Sequence, residues 1–362
     1  LWFSRAMTSR APIKICLVGC GRISGKHFAA INALADLTLI GVCDIDKTKA
    51  AATAKANGCD AYTDYSAMLK KARPDVVAIC TPNAMHPPMT IEAAKAGIHV
   101  ITEKPMALSL PDAHAMIDAC KTAGVHLFVI KQNRYNPPIL KLKEALDKGR
   151  FGKPIMGSVV VRWTRPQEYY DQDTWHGTLA VDGGMLLNQA SHHIDMLRWL
   201  MGDVETVSGI AGTLDRDIET EDTSVAVMRF RSGAMGVIEA TVCTFPRNLE
   251  GSITIQGTHG TVKVGGTAMN KIETWEFKDH ENEDDNIKKL GLSPPNVYGF
   301  GHNEFYRMAL EGILGGENGV NGEEGLKSLE LILAIYKSAM QGKPVRLPLD
   351  GSETVMTNRF KR

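Results

Sequence analysis

Two stretches of this chain place reactive side chains in settings that would strip water from them. The first is GGMLLNQASHHIDMLRWLMG (183–202), an apolar segment that carries Asn188, His192, His193 and Asp195. A helix advances 100° per residue. That step puts Asn188, His192, Asp195 and Trp199 on one stripe, with Leu186, Ala190, Ile194, Leu197 and Met201 opposite. His193 then projects about 100° away from His192, toward Met196 and Leu200, and is read as structural. A helix apolar nearly all round is buried, so the polar stripe faces either a partner or a ligand cavity. The plain alternative for His192 is a core histidine bonded to Asp195 one turn on. A zinc site from His192, His193 and Asp195 is disfavoured because adjacent side chains diverge. The second stretch is ITEKPM, where Glu103, Lys104 and Pro105 close a strand. A lysine held at a strand tip by a rigid proline is either a surface cap or a desolvated amine whose pKa falls toward the range useful for proton transfer.

The elements that must position these groups fall into two textures. From residue 12, IKICLVG (13–19), LTLIGVCD (37–44), DVVAICTPN (75–83), HVITEKP (99–105) and HLFVIKQN (126–133) read as strands separated by helices. Strands apolar on both faces in a βαβα alternation make a parallel sheet covered on both sides. After a helix at PPILKLKEALDKG, seven strands between IMGSVVVRW and IETWEF follow with few helices between them, several joined by Gly-containing turns such as RSGAM and GTHGT. That pattern makes an antiparallel sheet. The expected organisation is a dinucleotide-binding unit over 12–131 and a second, mostly antiparallel unit over 132–350 ending in a helix at 323–342. The acidic stretch 278–296 reads as a surface excursion.

CLVGCGRISGKH holds Gly19-x-Gly21-x-x-Ser24 between the first strand and the first helix. Glycines there permit a tight turn and close approach of a pyrophosphate, which meets the positive end of the helix. Asp44 stands at the tip of the next strand, about 20 residues on, where a carboxylate binds ribose hydroxyls and repels a 2′-phosphate. NAD is therefore expected rather than NADP. Asp46 is the alternative reader but lies in the turn. Arg22 and Ile23 belong to the same loop. Thr81, Asn83 and His86 follow the strand end at CTPN, where open α/β sheets bind ligands; each is either a cofactor contact or a turn and capping residue. Glu103 and Lys104 occupy a later strand end.

Charge and cysteine content narrow the partners. Lys plus Arg number 41 and Asp plus Glu 41, so no global field draws the chain to nucleic acid or a membrane surface. The seven cysteines are scattered without a paired framework, which suits free thiols in a reducing cytoplasm. No apolar run reaches membrane-spanning length. The opening LWFSRAMTSR lacks an apolar core of useful length and reads as a start-site remnant outside the fold.

Gly19-x-Gly21, Asp44, CTPN, TEKP and GGMLLNQASHHIDML, in this order, resemble the glucose–fructose oxidoreductase/inositol dehydrogenase family from residue 13 onward. KQNRYNPP, WTRPQEYYDQDTW, LLNQASHHID, NLEGSITIQGTHGTVKVGG and EEGLKSLELILAIYKSA are similar to its UDP-N-acetyl-2-amino-2-deoxyglucuronate 3-dehydrogenase branch. The resemblance implies a Rossmann domain joined to an open antiparallel sheet, with NAD as cofactor and a homodimer or homotetramer as the assembly. It also implies oxidation of a UDP-linked uronate to a 3-keto sugar nucleotide for a following aminotransferase, in surface-polysaccharide synthesis. Such a reaction needs one group to take the hydroxyl proton and another to steady the alkoxide. His192 as base with Lys104 as stabiliser fits, and so does the reverse. The family commonly has Asp four residues before its active-site His. Asn188 stands there instead, which departs from the inositol and glucose enzymes and matches the sugar-nucleotide branch. Its neutral amide is suited to a sugar hydroxyl. Trp175 is carried over as a cofactor contact, whereas His176 stands where the branch commonly has Arg. The uronate and diphosphate call for cationic or amide donors. Arg165 is the first candidate, beside Gln167, Tyr169 and Tyr170. Asn133 and Arg134 either touch nicotinamide or sugar or belong to the domain interface.

Overall fold

The computed structural model describes residues 11–282, 284–290, 301–316, 319–352 and 360. The opening ten residues and the end of the acidic excursion lie outside the described residues. The first half alternates β1 (Ile13–Val18), α1 (Ser24–Asn32), β2 (Leu37–Cys43), α2 (Lys47–Asn57), β3 (Asp60–Tyr62), α3 (Tyr65–Ala72), β4 (Val76–Ile79), α4 (His86–Lys95), β5 (His99–Thr102), α5 (Leu110–Ala123) and β6 (Leu127–Val129). These strands pair in parallel in the order β3-β2-β1-β4-β5-β6. The order reverses between β1 and β4, and a crevice therefore opens beyond their carboxyl ends. β4 is buried at every position, as a central strand with helices on both faces must be. Asp46, Asp64 and Ser109 cap α2, α3 and α5 through their side chains. Among the described residues no side chain caps α1, and the Ser24 and Lys26 amides turn back to the Gly21 and Ile23 carbonyls at 3.2 and 2.9 Å.

The second half begins with α6 (Pro137–Asp147) and β7 (Pro154–Arg162). Next come α7 (Gln167–Asp171), α8 (Met185–Asn188), α9 (Ser191–Met201), β8 (Val204–Gly212), β9 (Thr223–Phe230) and β10 (Met235–Thr241). They are followed by β11 (Glu250–Gly257), β12 (Gly260–Gly265), β13 (Lys271–Phe277), α10 (His302–Ile313), α11 (Gly322–Gln341) and β14 (Val345–Arg346). The sheet order is β13-β12-β11-β7-β10-β9-β8-β14, antiparallel except where β7 and β10 run parallel. α9 and α11 cover one face. α9 can sit on β7 because Gly157 has no side chain: a Cβ there would lie 2.8 Å from both Leu197 and Met201. The other face alternates outward, leaving Val225 and Val227 of β9 exposed.

One element differs from expectation. The stretch 183–202 does not form one continuous helix; it breaks at Gln189–Ala190 into α8 and α9. The amides of Gln189 and Ala190 both reach the Met185 carbonyl, at 2.8 and 3.0 Å, and the Asn188 carbonyl turns to the Lys104 Nζ at 2.6 Å. The stripe drawn through Asn188 and His192 is thus two helix faces brought together by a bend. Among the described residues no helix is long and apolar enough to cross a membrane, and the seven cysteines are unpaired.

Candidate active site

The crevice at the β1/β4 switch is built for a close backbone approach. Gly19 adopts φ +93°, and a Cβ there would stand 2.5 Å from the Cys80 carbonyl oxygen; at Gly21 a Cβ would meet nothing within 4 Å. Ser24 closes the turn by donating to the Gly21 carbonyl at 2.7 Å. Asp44 braces the loop, its Oδ2 accepting from the Cys20 amide at 2.8 Å and its Oδ1 from the Asp46 amide at 2.9 Å. A carboxylate has about four acceptor sites, so Asp44 retains capacity for hydroxyl donors. Asp46 is engaged otherwise, accepting from Thr48 and Lys49 as the α2 cap. Beyond β4, Thr81 Oγ1 lies against Met89 Sδ. Asn83 is buried and donates to the Asp182 carbonyl at 2.8 Å. The ring nitrogens of His86 lie 2.8 and 2.9 Å from the Pro105 and Thr81 carbonyl oxygens. This buried ring joins the β4 loop to the Lys104–Pro105 loop.

At the end of β5, Glu103 and Lys104 diverge into different networks. Glu103 Oε1 meets His27 Nε2 at 3.0 Å, and Oε2 accepts from the Lys104 amide at 3.0 Å. Burial would raise this carboxyl, but the hydrogen bond and charge of His27, with Lys104 and His302, hold it down to about 2. Lys104 Nζ donates to Asn188 twice, to the carbonyl at 2.6 Å and to Oδ1 at 3.2 Å. Burial pulls the Lys104 pKa down, while Glu103 and Asp182 work against that. Asn188 Nδ2 in turn donates to Asp182 Oδ1 at 2.6 Å.

His192 is buried with its Nε2 3.1 Å from Gln132 Nε2. An amide NH2 facing a ring nitrogen requires the ring to accept. With the Gln132 amide turned this way the ring proton lies on Nδ1, and neither His192 Nδ1 nor Gln132 Oε1 has a partner among the described residues. Burial, and then Lys104 and Lys131, push the His192 pKa well below its ordinary value. The core alternative, a bond from His192 to Asp195, is not what forms. Arg134 takes both Asp195 oxygens, at 2.7 and 2.8 Å, and also reaches Glu324 at 3.2 Å. Arg134 therefore ties the turn after β6 to α9 and α11. Its neighbour Asn133 is 2% exposed and its Oδ1 has no partner among the described residues. Lys131, 3.8 Å from Asp195, is drawn down to about 8, chiefly by burial. His193 turns to the core, edge-on to Trp163 at 5.4 Å, and burial lowers its pKa to about 3.

The rim is aromatic and cationic. Arg165 donates to the Thr164 carbonyl and its guanidinium lies 5.3 Å from the Trp163 ring and 5.4 Å from that of Tyr169. Arg22 crosses from the glycine loop to Gln172 at 2.8 Å, with Tyr169 at 5.8 Å. Trp175 stacks on His176 at 3.8 Å, and His176 is held by Asp173 at 2.7 Å. Lys104, Asn188 and His192 thus converge, with Arg165 and Tyr169 at the edge, whereas no contact brings the buried Asn133 side chain to them.

A model of the oxidoreductase family's NAD-binding Rossmann fold matches residues 13–131, and a model of its C-terminal alpha/beta domain matches residues 143–347. The chain belongs to the Gfo/Idh/MocA oxidoreductase family. Its cofactor is NAD, and it is an NAD-dependent oxidoreductase. The WlbA dehydrogenase from Bordetella pertussis, solved in complex with NADH and UDP-GlcNAcA, is 46% identical, with TM-score 0.91 over 95% of this chain and 100% of that one. The Chromobacterium violaceum WlbA dehydrogenase, solved with the same two ligands, is 45% identical, with TM-score 0.89 over 95% of this chain and 98% of that one. Among curated relatives, the myo-inositol 2-dehydrogenase of Thermotoga maritima is 30% identical over 92% of this chain and 98% of its own length.

Within this Gfo/Idh/MocA site, sequence reasoning missed Asp182, Lys131 and Gln132. Asp182 precedes the paired glycines Gly183 and Gly184, both at positive φ, a placement that signals a sharp turn but not a partner. Lys131 and Gln132 follow β6 directly, at a strand end where the same logic that selected Lys104 applied.

Proposed function

We propose that this enzyme uses NAD to oxidise the 3-hydroxyl of UDP-linked N-acetylglucosaminuronate, making a 3-keto sugar nucleotide for O-antigen-type surface-polysaccharide synthesis. The observation that carries this reading is the near-full-length likeness to two dehydrogenases that bind both NADH and UDP-GlcNAcA. When bound, NAD supplies the hydride acceptor. Gly19, Gly21, Arg22, Ile23 and the positive end of α1 would hold its pyrophosphate, and Asp44 would take the ribose hydroxyls. Thr81, Asn83, His86, Glu103 and Trp175 would shape the nicotinamide side, and Asn133, whose Oδ1 has no partner among the described residues, would accept a hydrogen bond from nicotinamide or sugar.

Of the two assignments for proton transfer, the geometry favours Lys104 as the base. A neutral amine has two N–H groups, and Asn188 offers two oxygens within reach; the lone pair is left for the substrate hydroxyl. Burial favours that neutral form. His192 stays neutral and has its ring proton on Nδ1, so it donates to the developing alkoxide. Arg165 and Tyr169 receive the anionic parts of the sugar nucleotide.

The second reading, a dehydrogenase of a free polyol or sugar, draws on the myo-inositol enzyme among the relatives. One assay separates the two. Purified protein is given NAD with UDP-GlcNAcA, myo-inositol or glucose, with and without a 2-oxo acid to reoxidise bound NADH, and keto product is read by mass spectrometry. Keto product from UDP-GlcNAcA alone is expected. Product from myo-inositol but not from the sugar nucleotide would overturn the proposal, and no product from any substrate would favour a non-catalytic NAD sensor.

A further inference from the structure

We infer that Asp182 is a positioning residue that sets the proton affinity of Lys104 through the side chain of Asn188, which rests on the reading of Lys104 as the base. Asp182 is 2% exposed. Its Oδ1 accepts from Asn188 Nδ2 at 2.6 Å, its Oδ2 from the Gly177 amide at 2.8 Å, and its carbonyl oxygen from Asn83 at 2.8 Å. An amide is polar at both ends, so giving Nδ2 to a carboxylate fixes Oδ1 toward Lys104, 3.2 Å away. The flipped amide would set its NH2 against the lysine N–H groups and its oxygen against the carboxylate, two repulsions in a site with little water. The carboxylate is thereby kept in the active site but set back behind a neutral amide. Its charge favours the ammonium that forms as the proton arrives.

The other groups around the pair do not substitute for this link. Facing Lys104 are Glu103, Arg165, His192 and Lys131; facing Asp182 are His176 and Glu221. Glu103 is committed to His27 and to the Lys104 backbone amide, while Arg165, His192 and Lys131 bring no negative charge. Glu221 bonds the Leu186 amide and the Tyr336 hydroxyl.

The test is competitive acetylation of NADH-bound protein across a pH series, with Lys104 followed by mass spectrometry, alongside kcat and KM for UDP-GlcNAcA. In Asp182→Asn the Lys104 labelling midpoint should fall by about one pH unit, since a neighbouring carboxylate shifts a lysine by that order. On the plateau above the midpoint, where Lys104 is already the free amine, kcat should fall by up to roughly tenfold with KM changed less than about twofold, because the weaker base gains less from taking the proton. Moving the charge, in Asp182→Asn/Asn188→Asp, should return the midpoint toward wild type. Should Asp182→Asn fail to fold, Asp182→Ser removes the same charge with the Lys104–Asn188 contact intact and should give the same downward shift. A midpoint unmoved in the Asp182 variants, or one that the charge swap leaves low, overturns the inference. The labelling needs no sugar. A midpoint that follows Asp182 in a protein inactive on UDP-GlcNAcA sinks the substrate assignment and leaves the link standing.

Discussion

Lys104 and His192 are opposite cases of one physical effect, because burial disfavours the charged form of each and the two side chains need different outcomes from that. For Lys104 a lowered pKa makes the free amine accessible; for His192 it locks in the neutral donor. Lys104→Ala should reduce kcat by about 10²–10⁴, the span of general-base contributions, while NADH fluorescence titration shows the cofactor still bound. The pH dependence follows the same sign. The base works only when unprotonated, so kcat/KM should rise with pH through a Lys104 midpoint below 10.5; a profile flat across that range would remove Lys104 from the role. Asp44→Ser should narrow the preference for NAD over NADP, read as the ratio of their dissociation constants, because the carboxylate that repels a 2′-phosphate is gone. At this scale much was legible. TEKP and LLNQASHHID singled out Lys104, Asn188 and His192, their roles coming from the family resemblance, and the fold sets Lys104 against Asn188. Asp182 stayed hidden because its contact is with an Asn side chain that the chain must first fold to present.

The elements that hold these side chains are fixed largely by contacts distant in sequence, and there the helical reading failed. A uniform 100° step carried Asn188 and His192 through a break where Lys104, 84 positions away, takes the Asn188 carbonyl. Asp195 shared the right face with His192 but found Arg134, 61 residues back. Neither pairing leaves a local periodic trace. The Arg134–Asp195 clamp joins the turn after β6 to α9, and removing one partner of a buried pair strands the other charge. Arg134→Ala should therefore cost roughly 3–5 kcal/mol, measured by urea unfolding. The Glu103–His27 contact between β5 and α1 gives a pH signature. A carboxyl held at about 2, against 4.5 unperturbed, contributes stability that is full above 4.5 and lost as pH falls toward 2. Glu103→Gln should flatten that acid limb in thermal melts at stepped pH.

For the whole molecule, the two textures of the sequence did forecast two sheets and their strand directions, since period and burial are local properties. Their outer surfaces carry a further expectation. In the cross-strand register Ile210 lies beside Val225, and Val227 lies between Ser208 and Val237, with Ile210, Val225 and Val227 77%, 47% and 53% exposed. An apolar patch on an open sheet face suits a symmetric association. A homodimer or homotetramer is expected by light scattering, and Val225→Glu/Val227→Glu should lower the mass to one chain. The cofactor half is also not finished where its own strands end. Phe305, Tyr306, Ala309 and Leu310 of α10 pack with Phe28, Ile31 and Phe128, Tyr306 bonds His27 at 2.7 Å, and the Val129 amide donates to the Val320 carbonyl. The order of synthesis then matters. As the chain leaves the ribosome, the nucleotide-binding half emerges well before α10 and keeps a raw apolar flank until that helix has followed. A product stopped after residue 131 should clump instead of binding NAD, so truncated transcripts of this enzyme yield debris and no cofactor-sequestering fragment.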